Sequence, residues 1–292
     1  GVYEGIKKIW NEECGAKLYG YFPVLPEELA FKSRHLGLVT AAEVENLREM
    51  QMKLAKIAQD SVDIEGLTAL AASAPALEYD PPVLPRFPKI HIAVAKDAAF
   101  CFYYSENLGL FEKMGAELSF FSPLEDAAPP AEADCLYFGG GYPELYAEKL
   151  SANASMRESV RAAHARGVPI FAECGGFLYL NRLLDGYAMA GVLHGESVNK
   201  HKPVRFGYVE LEANEDCLIA KKGARLRGHE FHYYDCTENG EAFTARRKGS
   251  EYRCTAAAKT IAAGFAHVHF YSNLECAATF YENCLEAKKC RK

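Results

Sequence analysis

One cysteine in this chain has the setting of a nucleophile. In Val168-Pro-Ile-Phe-Ala-Glu-Cys-Gly-Gly-Phe-Leu-Tyr-Leu180, Cys174 stands between a short apolar strand pattern and an apolar helix pattern, with Gly175 and Gly176 directly after it. A thiol at such a strand-to-helix elbow faces the start of a helix. The positive end of the helix dipole is expected to lower its pKa and enrich the reactive thiolate. Glycines at that point let a carbonyl approach the backbone closely, and the same geometry serves the serine elbow of hydrolases. The alternative is a buried cysteine at a strand end with no chemistry, a common fate for a single cysteine.

Other segments could serve such a nucleophile. Phe138-Gly-Gly-Gly-Tyr-Pro-Glu144 follows a strand. Its glycines do not make a Walker loop, because no Lys-Ser or Lys-Thr follows at the required spacing. They can present backbone N–H groups to an oxyanion, each donor contributing about 2.7–4 kcal/mol in the transition state, or form a turn with no ligand. Gly264-Phe-Ala-His-Val-His-Phe270 reads as one strand, and alternation puts His267 and His269 on one face. Such a pair can bind a metal, but no third ligand is suggested by spacing. The preferred role is a general base that takes the proton from Cys174 and returns it to a leaving amine, and one imidazole suffices.

Arg227-Gly-His-Glu-Phe-His-Tyr233 is not a zincin motif, being His-Glu-x-His on a strand pattern. His229 and Glu230 there are expected to bind a polar ligand or to pack at a domain seam. Phe102, Tyr103, Tyr104 and Glu106 form an aromatic and acidic loop that is either core or the wall of a flat ligand's site.

The elements that must carry these residues fall in two blocks. The first runs to about Ala74. Leu18–Pro23 reads as a buried strand stopped by proline. Val44, Leu47, Met50, Leu54 and Ile57 recur at helical spacing after a capping box, Thr40 to Glu43. Pro75–Pro88, with five prolines, reads as a stiff extended linker. In the second block, strands at 90–95, 116–121, 134–138 and 168–173 alternate with helices at 106–114 and 155–166. This order predicts right-handed crossovers and a mostly parallel sheet. Strand patterns then follow at 206–212, 228–234 and 264–270, before a closing helix at 274–286. In such sheets the chemistry sits at the carboxyl ends of the strands, where Cys174 and the Gly139–Gly141 run both fall.

Composition narrows the classes. The chain has 292 residues, 49% hydrophobic and 25% charged, enough for a full core. A net charge of −6 argues against a nucleic-acid partner, and the tail Lys288–Lys292 reads as a solvated end. No apolar run is long enough to span a bilayer, and Gly1–Gly5 has no signal-peptide plan. The ten cysteines are scattered without paired spacing, which suits a reducing, cytoplasmic setting.

These segments together resemble a known family. Ala93-Val-Ala-Lys-Asp-Ala-Ala-Phe-Cys-Phe-Tyr-Tyr104, Phe121-Ser-Pro123, Gly139-Gly-Gly-Tyr-Pro-Glu-Leu145, Ala172-Glu-Cys-Gly-Gly176, Arg205-Phe-Gly-Tyr208, Gly228-His-Glu-Phe-His232 and His267-Val-His-Phe270 occur in the same order across about residues 90–285. They are similar to the class I glutamine amidotransferase domain in its cobyrinic/cobyric acid branch, the cobyrinate a,c-diamide synthases. Ser33-Arg-His-Leu-Gly-Leu38 and Gly20-Tyr-Phe-Pro23 resemble the tail of that family's ATP-binding domain. The resemblance implies an N-terminally truncated piece of a longer enzyme that lacks the P-loop half. Residues 1–74 would be a remnant of a P-loop, dethiobiotin-synthetase-like α/β domain, 75–89 a linker, and 287–292 a basic tail. Residues 90–286 would be a flavodoxin-like amidotransferase domain, a mostly parallel sheet with helices on both faces.

The resemblance also implies roles. Cys174 would attack the side-chain amide of L-glutamine, giving a γ-glutamyl thioester and ammonia. Gly141 and Gly175 would supply the oxyanion N–H groups. His267 would be the catalytic histidine, with His269 the fallback. The position two after His267, a Glu in most class I amidotransferases, is His269 here, so a Cys–His dyad is expected. Tyr103, Tyr104, Glu106, His229 and Glu230 would contact substrate. The full-length enzyme would use ATP and Mg²⁺ to amidate the a and c acetates of cobyrinic acid in cobalamin biosynthesis, with no cofactor bound to this fragment and a homodimer as one assembly. The alternatives are a nickel-sirohydrochlorin a,c-diamide synthase, a stand-alone glutaminase or cysteine hydrolase, and a non-enzymatic corrinoid-binding module.

Overall fold

The computed structural model describes residues 2–31, 39 and 41–291. The chain divides into two compact units, Gly1–Pro82 and Val83–Lys292.

The first unit carries the helices α1 (Val2–Glu13), α2 (Leu47–Ser61) and α3 (Ile64–Ala72). The strand expected at Leu18–Pro23 is a single bridge, Gly20 to Val62. Its Tyr21 and Phe22 are exposed, because the described residues of this unit offer no second strand to extend the pairing. Thr40 and the Ser33–Leu38 motif lie outside the described residues. Helix α2 starts at Leu47, after a 3-10 turn at Ala41–Glu43, because Asn46 is left-handed at φ 59° and interrupts the helical path. Residues 75–90 contain no regular element, as the prolines require.

The second unit opens with strands β1 (His91–Ala95) and β2 (Phe100–Phe102), helix α4 (Ser105–Met114) and strands β3 (Glu117–Phe121), β4 (Cys135–Phe138) and β5 (Gly140–Gly141). Helices α5 (Ala147–Ala152) and α6 (Ala154–Ala165), strand β6 (Ile170–Glu173) and helix α7 (Gly175–Leu180) follow. Next come β7 (Leu183–Leu184), β8 (Tyr187–Ala188), β9 (Glu196–Asn199), β10 (Arg205–Ala213), β11 (Arg225–His232) and β12 (Tyr234–Cys236). The chain closes with β13 (Phe243–Arg247), β14 (Ser250–Cys254), β15 (Ala256–Ala258), β16 (Ile261–Gly264), β17 (His267–Val268) and α8 (Leu274–Cys290).

The central sheet has the order β15-β16-β6-β4-β1-β3, parallel except for the edge strand β15. Both faces are covered, which explains why its strands read as continuous apolar runs. Along β1, Ile92 and Val94 face one core while Ala93 and Ala95 face the other. On one side lie Leu110 and Phe111 of α4, Phe280 and Tyr281 of α8, and the inner face of a second sheet. On the other lie Met156 and Val160 of α6 and Phe177, Leu178, Tyr179 and Leu180 of α7. Each fully buried Phe or Leu contributes about 1.5–3 kcal/mol.

The second sheet is antiparallel, with the order β14-β13-β10-β11-β17. It takes its last strand from the segment expected to be one strand over 264–270. That segment changes sheets instead. It runs parallel to β6 up to Gly264, crosses at Phe265 and Ala266, and pairs with β11 at His267 and Val268. The crossing is anchored by Phe265, buried against Phe177 and stacked on His232. The basic tail is also not a free end. Lys288 Nζ lies 2.7 Å from Asp134 Oδ2, and Arg291 reaches the same carboxylate and the Gly167 carbonyl. Asp134 is buried, and a buried carboxylate requires such partners.

Candidate active site

Strand β6, buried along its length, delivers Cys174 at the mouth of α7. Cys174 has φ 48° and ψ −104°, a strained conformation for an L-residue that costs on the order of 1–3 kcal/mol and persists only where its surroundings enforce it. Here the Cys174 N–H donates to the Gly264 carbonyl at 2.7 Å and the Gly176 N–H donates to the Gly139 carbonyl at 2.9 Å. The elbow is thereby tied to both neighbouring strand ends.

Because β4 pairs with β6 in parallel, its end lies beside the elbow. A Cβ added at Gly175 would lie 3.0 Å from the Gly141 nitrogen and 3.4 Å from the Gly140 carbonyl carbon. The Gly141 and Gly175 amides are therefore neighbours, and the Gly175 N–H also faces the Cys174 sulfur. His267 approaches from the second sheet. A Cβ added at Gly140 would lie 2.3 Å from Cε1 of His267 and 3.1 Å from its Nε2. Gly140 thus has the imidazole on one side and the elbow glycine close by on another. Among the described residues, the sulfur takes no hydrogen bond from either histidine; its hydrogen-bonding neighbour is the Gly175 amide.

The electrostatics overturn one expectation. The Cys174 thiol is pushed up to about 12, first by burial and then by the Glu144 carboxylate, with the Gly175 N–H acting the other way. Helix α7 is six residues long, and its end does not outweigh the loss of water. Part of the residue's surface stays open, and the thiol is neutral at rest. His267 is pushed down to about 3 by burial and then by His229 and His232. It is a neutral imidazole, the form that can accept a proton.

The remaining candidates sort by contact. His267 stacks on His229 with ring centroids 4.8 Å apart. His229 Nδ1 is 2.9 Å from the Tyr104 hydroxyl, and the edge of Tyr104 meets His269 at 4.9 Å. His269 therefore lies at the far end of this line from Gly140. Glu106 is exposed at the start of α4 and is held low by its own backbone N–H and by Ser105. Tyr103 is turned inward: its hydroxyl donates to the Ala95 carbonyl and accepts from the Gly139 N–H at 2.9 Å. Both hydrogen bonds are internal, so its hydroxyl braces the glycine run. Glu230 is buried and accepts from the Tyr252 hydroxyl through Oε2, while Oε1 has no hydrogen-bond partner among the described residues. No group of three or more His, Cys, Asp or Glu suited to a metal occurs among the described residues.

Two buried residues near the site take no role from the sequence alone, although Glu173 lies within the Ala172–Gly176 motif. Glu173 accepts from the Tyr137 hydroxyl at 2.7 Å and from the Val268 N–H at 2.8 Å. Asn107 donates to the Val268 carbonyl at 2.8 Å and accepts from the Phe270 N–H at 2.9 Å. A lone acid closing the apolar run 168–172 is the one local hint for Glu173.

Residues 91–274 match the CobB/CobQ-like glutamine amidotransferase domain. The chain belongs to that family. Its fold is the class I glutamine amidotransferase-like α/β fold. Among curated relatives, the cobyrinate a,c-diamide synthase of Caldanaerobacter subterraneus subsp. tengcongensis is 38% identical over 97% of this chain and 64% of its own length. That of Listeria monocytogenes serotype 4b is 40% identical over 87% of this chain and 59% of its own. That of Priestia megaterium is 36% identical over 100% of this chain and 65% of its own. The chain thus spans about six-tenths of the length of these amidotransferase-family relatives. A solved structure of PurLQS from Thermotoga maritima is 16% identical, covering 68% of this chain and 98% of that one, with a TM-score of 0.48.

Proposed function

We propose that residues 83–292 hydrolyse L-glutamine and supply ammonia to a ligase. The supporting observation is Gly140, flanked by the His267 imidazole and by the Cys174–Gly175 elbow. With thiol and imidazole both neutral, proton transfer to His267 accompanies attack of sulfur on the side-chain amide carbon. The Gly141 and Gly175 N–H groups take the developing oxyanion, each contributing about 2.7–4 kcal/mol. Collapse breaks the C–N bond, His267 returns the proton to the departing nitrogen, and ammonia leaves a γ-glutamyl thioester. Water activated by His267 then releases glutamate. Tyr104, His229 and Glu230 are the side chains offered to substrate, and His269 is the fallback base.

The ligase reading is cobyrinate a,c-diamide synthesis, supported by the names of the relatives and by family membership. In the whole enzyme, ATP with Mg²⁺ would activate the a and c acetates of the corrinoid for attack by ammonia. No Walker spacing occurs in this chain. Residues 1–74 are proposed as the end of the ATP-binding part, because relatives align across nearly the whole chain. A reducing, cytoplasmic setting suits the reactive thiol.

The test is ammonia release from glutamine by the purified chain. Cys174→Ala is expected to abolish it, and a glutamine-analogue diazoketone is expected to label Cys174. Turnover that survives Cys174→Ala would overturn the reading. Assaying the full-length enzyme on cobyrinic acid and on nickel-sirohydrochlorin separates the two synthases.

A further inference from the structure

We infer that Glu173 and Asn107 are positioning residues that hold the His267 strand against the nucleophile elbow. The inference rests on the glutaminase reading above. Strand β17 is two residues long and meets β11 at two register positions, Gly228–Val268 and His229–His267. One more backbone hydrogen bond, from the His269 N–H to the Arg227 carbonyl at 3.0 Å, ends this pairing, which restrains the β17 backbone from one side only. The missing restraint comes from the other side. Glu173 Oε1 accepts a hydrogen bond from the Val268 N–H at 2.8 Å, and Asn107 Nδ2 donates one to the Val268 carbonyl at 2.8 Å. Asn107 Oδ1 then takes the Phe270 N–H at 2.9 Å. The peptide groups flanking His267 and His269 are thereby gripped by two buried side chains.

The grip is tied to the nucleophile by covalent bonds. Glu173 immediately precedes Cys174, so one carboxylate links the backbone of the thiol to the backbone that carries the base. The second oxygen is fixed by the Tyr137 hydroxyl at 2.7 Å from the adjacent strand β4, the strand that leads into Gly139–Gly141. Nucleophile, base and oxyanion glycines are thus referenced to one buried carboxyl group. Glu173 is 2% exposed and Asn107 fully buried, positions where an apolar side chain would avoid desolvation but would leave the Val268 N–H and C=O without these partners.

The test compares Glu173→Ala, Glu173→Gln and Asn107→Leu in two backgrounds, with His267 intact and with His267→Ala. Two readouts are taken: the kinetics of glutamine hydrolysis and the hydrogen exchange of the Val268 amide. A misplacement of about 1 Å costs on the order of a hundredfold. Glu173→Ala and Asn107→Leu are therefore expected to lower kcat about 10–100-fold with KM within about twofold. Glu173→Gln, which keeps an acceptor for Val268, should stay within about threefold. In the His267→Ala background neither loss should add to that of the histidine. Val268 exchange should quicken in Glu173→Ala. Equal losses in both backgrounds, a loss in KM alone, or kcat within about twofold of wild type in Glu173→Ala would overturn the inference. If Glu173→Ala does not fold, Tyr137→Phe, which removes only the fixing hydroxyl, takes its place with the same two readouts and is decided by the same outcomes. A wild-type chain without Cys174-dependent turnover, but with Val268 exchange that responds to Glu173→Ala, would instead sink the glutaminase reading and leave the clamp standing.

Discussion

Gly140→Ala tests the site with a single methyl group. The new Cβ would lie 2.3 Å from Cε1 of His267, where carbon atoms in contact need about 3.5–4.0 Å. Gly140 is not among the residues with positive φ, so the backbone itself accepts alanine. The clash must be relieved by the ring, and His229 stacks against that ring at 4.8 Å. His267 therefore has to move by about 1 Å or more, with overpacking of about 1–3 kcal/mol. For a unit of this size that lowers Tm by about 2–12 °C. A displacement of that size in a general base is expected to reduce kcat for glutamine hydrolysis on the order of a hundredfold. The assay is ammonia release coupled to glutamate dehydrogenase, run beside a thermal melt. Turnover within about threefold of wild type in a folded Gly140→Ala protein would refute the reasoning, since the base could then not be the ring that lies on Gly140.

Three further outcomes are expected. Iodoacetamide labelling of Cys174, separated from exposed Cys14 and Cys290 by peptide mass spectrometry, should rise about tenfold per pH unit from roughly pH 6 to 9. A plateau below pH 7 would mean that a thiolate–imidazolium pair already exists at rest. Glu173 is raised by burial from 4.5 to about 7, so the native state holds a proton that the unfolded chain releases between those values. Its contribution to stability is full below about pH 4.5 and is lost as pH rises through 7, on the order of 3 kcal/mol in all. The stability of Glu173→Gln relative to wild type should accordingly improve from pH 5 to 8, and parallel urea-unfolding profiles would contradict this. Gly109 in α4 has no atom within 4 Å of an added Cβ. Gly109→Ala should therefore stabilise by about 0.5–1 kcal/mol with turnover unchanged; a lower Tm would count against the packing described for that helix.

The architecture of the second unit is legible in local pattern because most of its central parallel strands are buried on both faces and its helices α4 and α6 are followed by Gly115 and Gly167. Ile92 and Val94 point one way and Ala93 and Ala95 the other, yet all four are apolar, which marks a covered parallel strand. The positions of Cys174 and the Gly139–Gly141 run follow from that topology. Other features depend on contacts between distant segments. Nothing local says that the chain changes sheets at Phe265 and Ala266, because an apolar run suits either sheet. Glu173 and Asn107 acquire partners only once β17 is in place. The thiol pKa moves opposite to expectation because a helix end is visible in sequence, whereas exclusion of water and the approach of Glu144 are not. The expected strand at Leu18–Pro23 pairs with a neighbour at one bridge only, Gly20 to Val62, and no local pattern reveals how far such pairing extends.

The crossing between sheets means that thiol and imidazole hang from different sheets of one unit. Strand β16 (Ile261–Gly264), the neighbour of β6, is followed after Phe265 and Ala266 by His267, so the base joins the molecule only as that last parallel strand takes its place. On the proposed glutaminase reading, amide cleavage would therefore wait for β16 to dock beside β6.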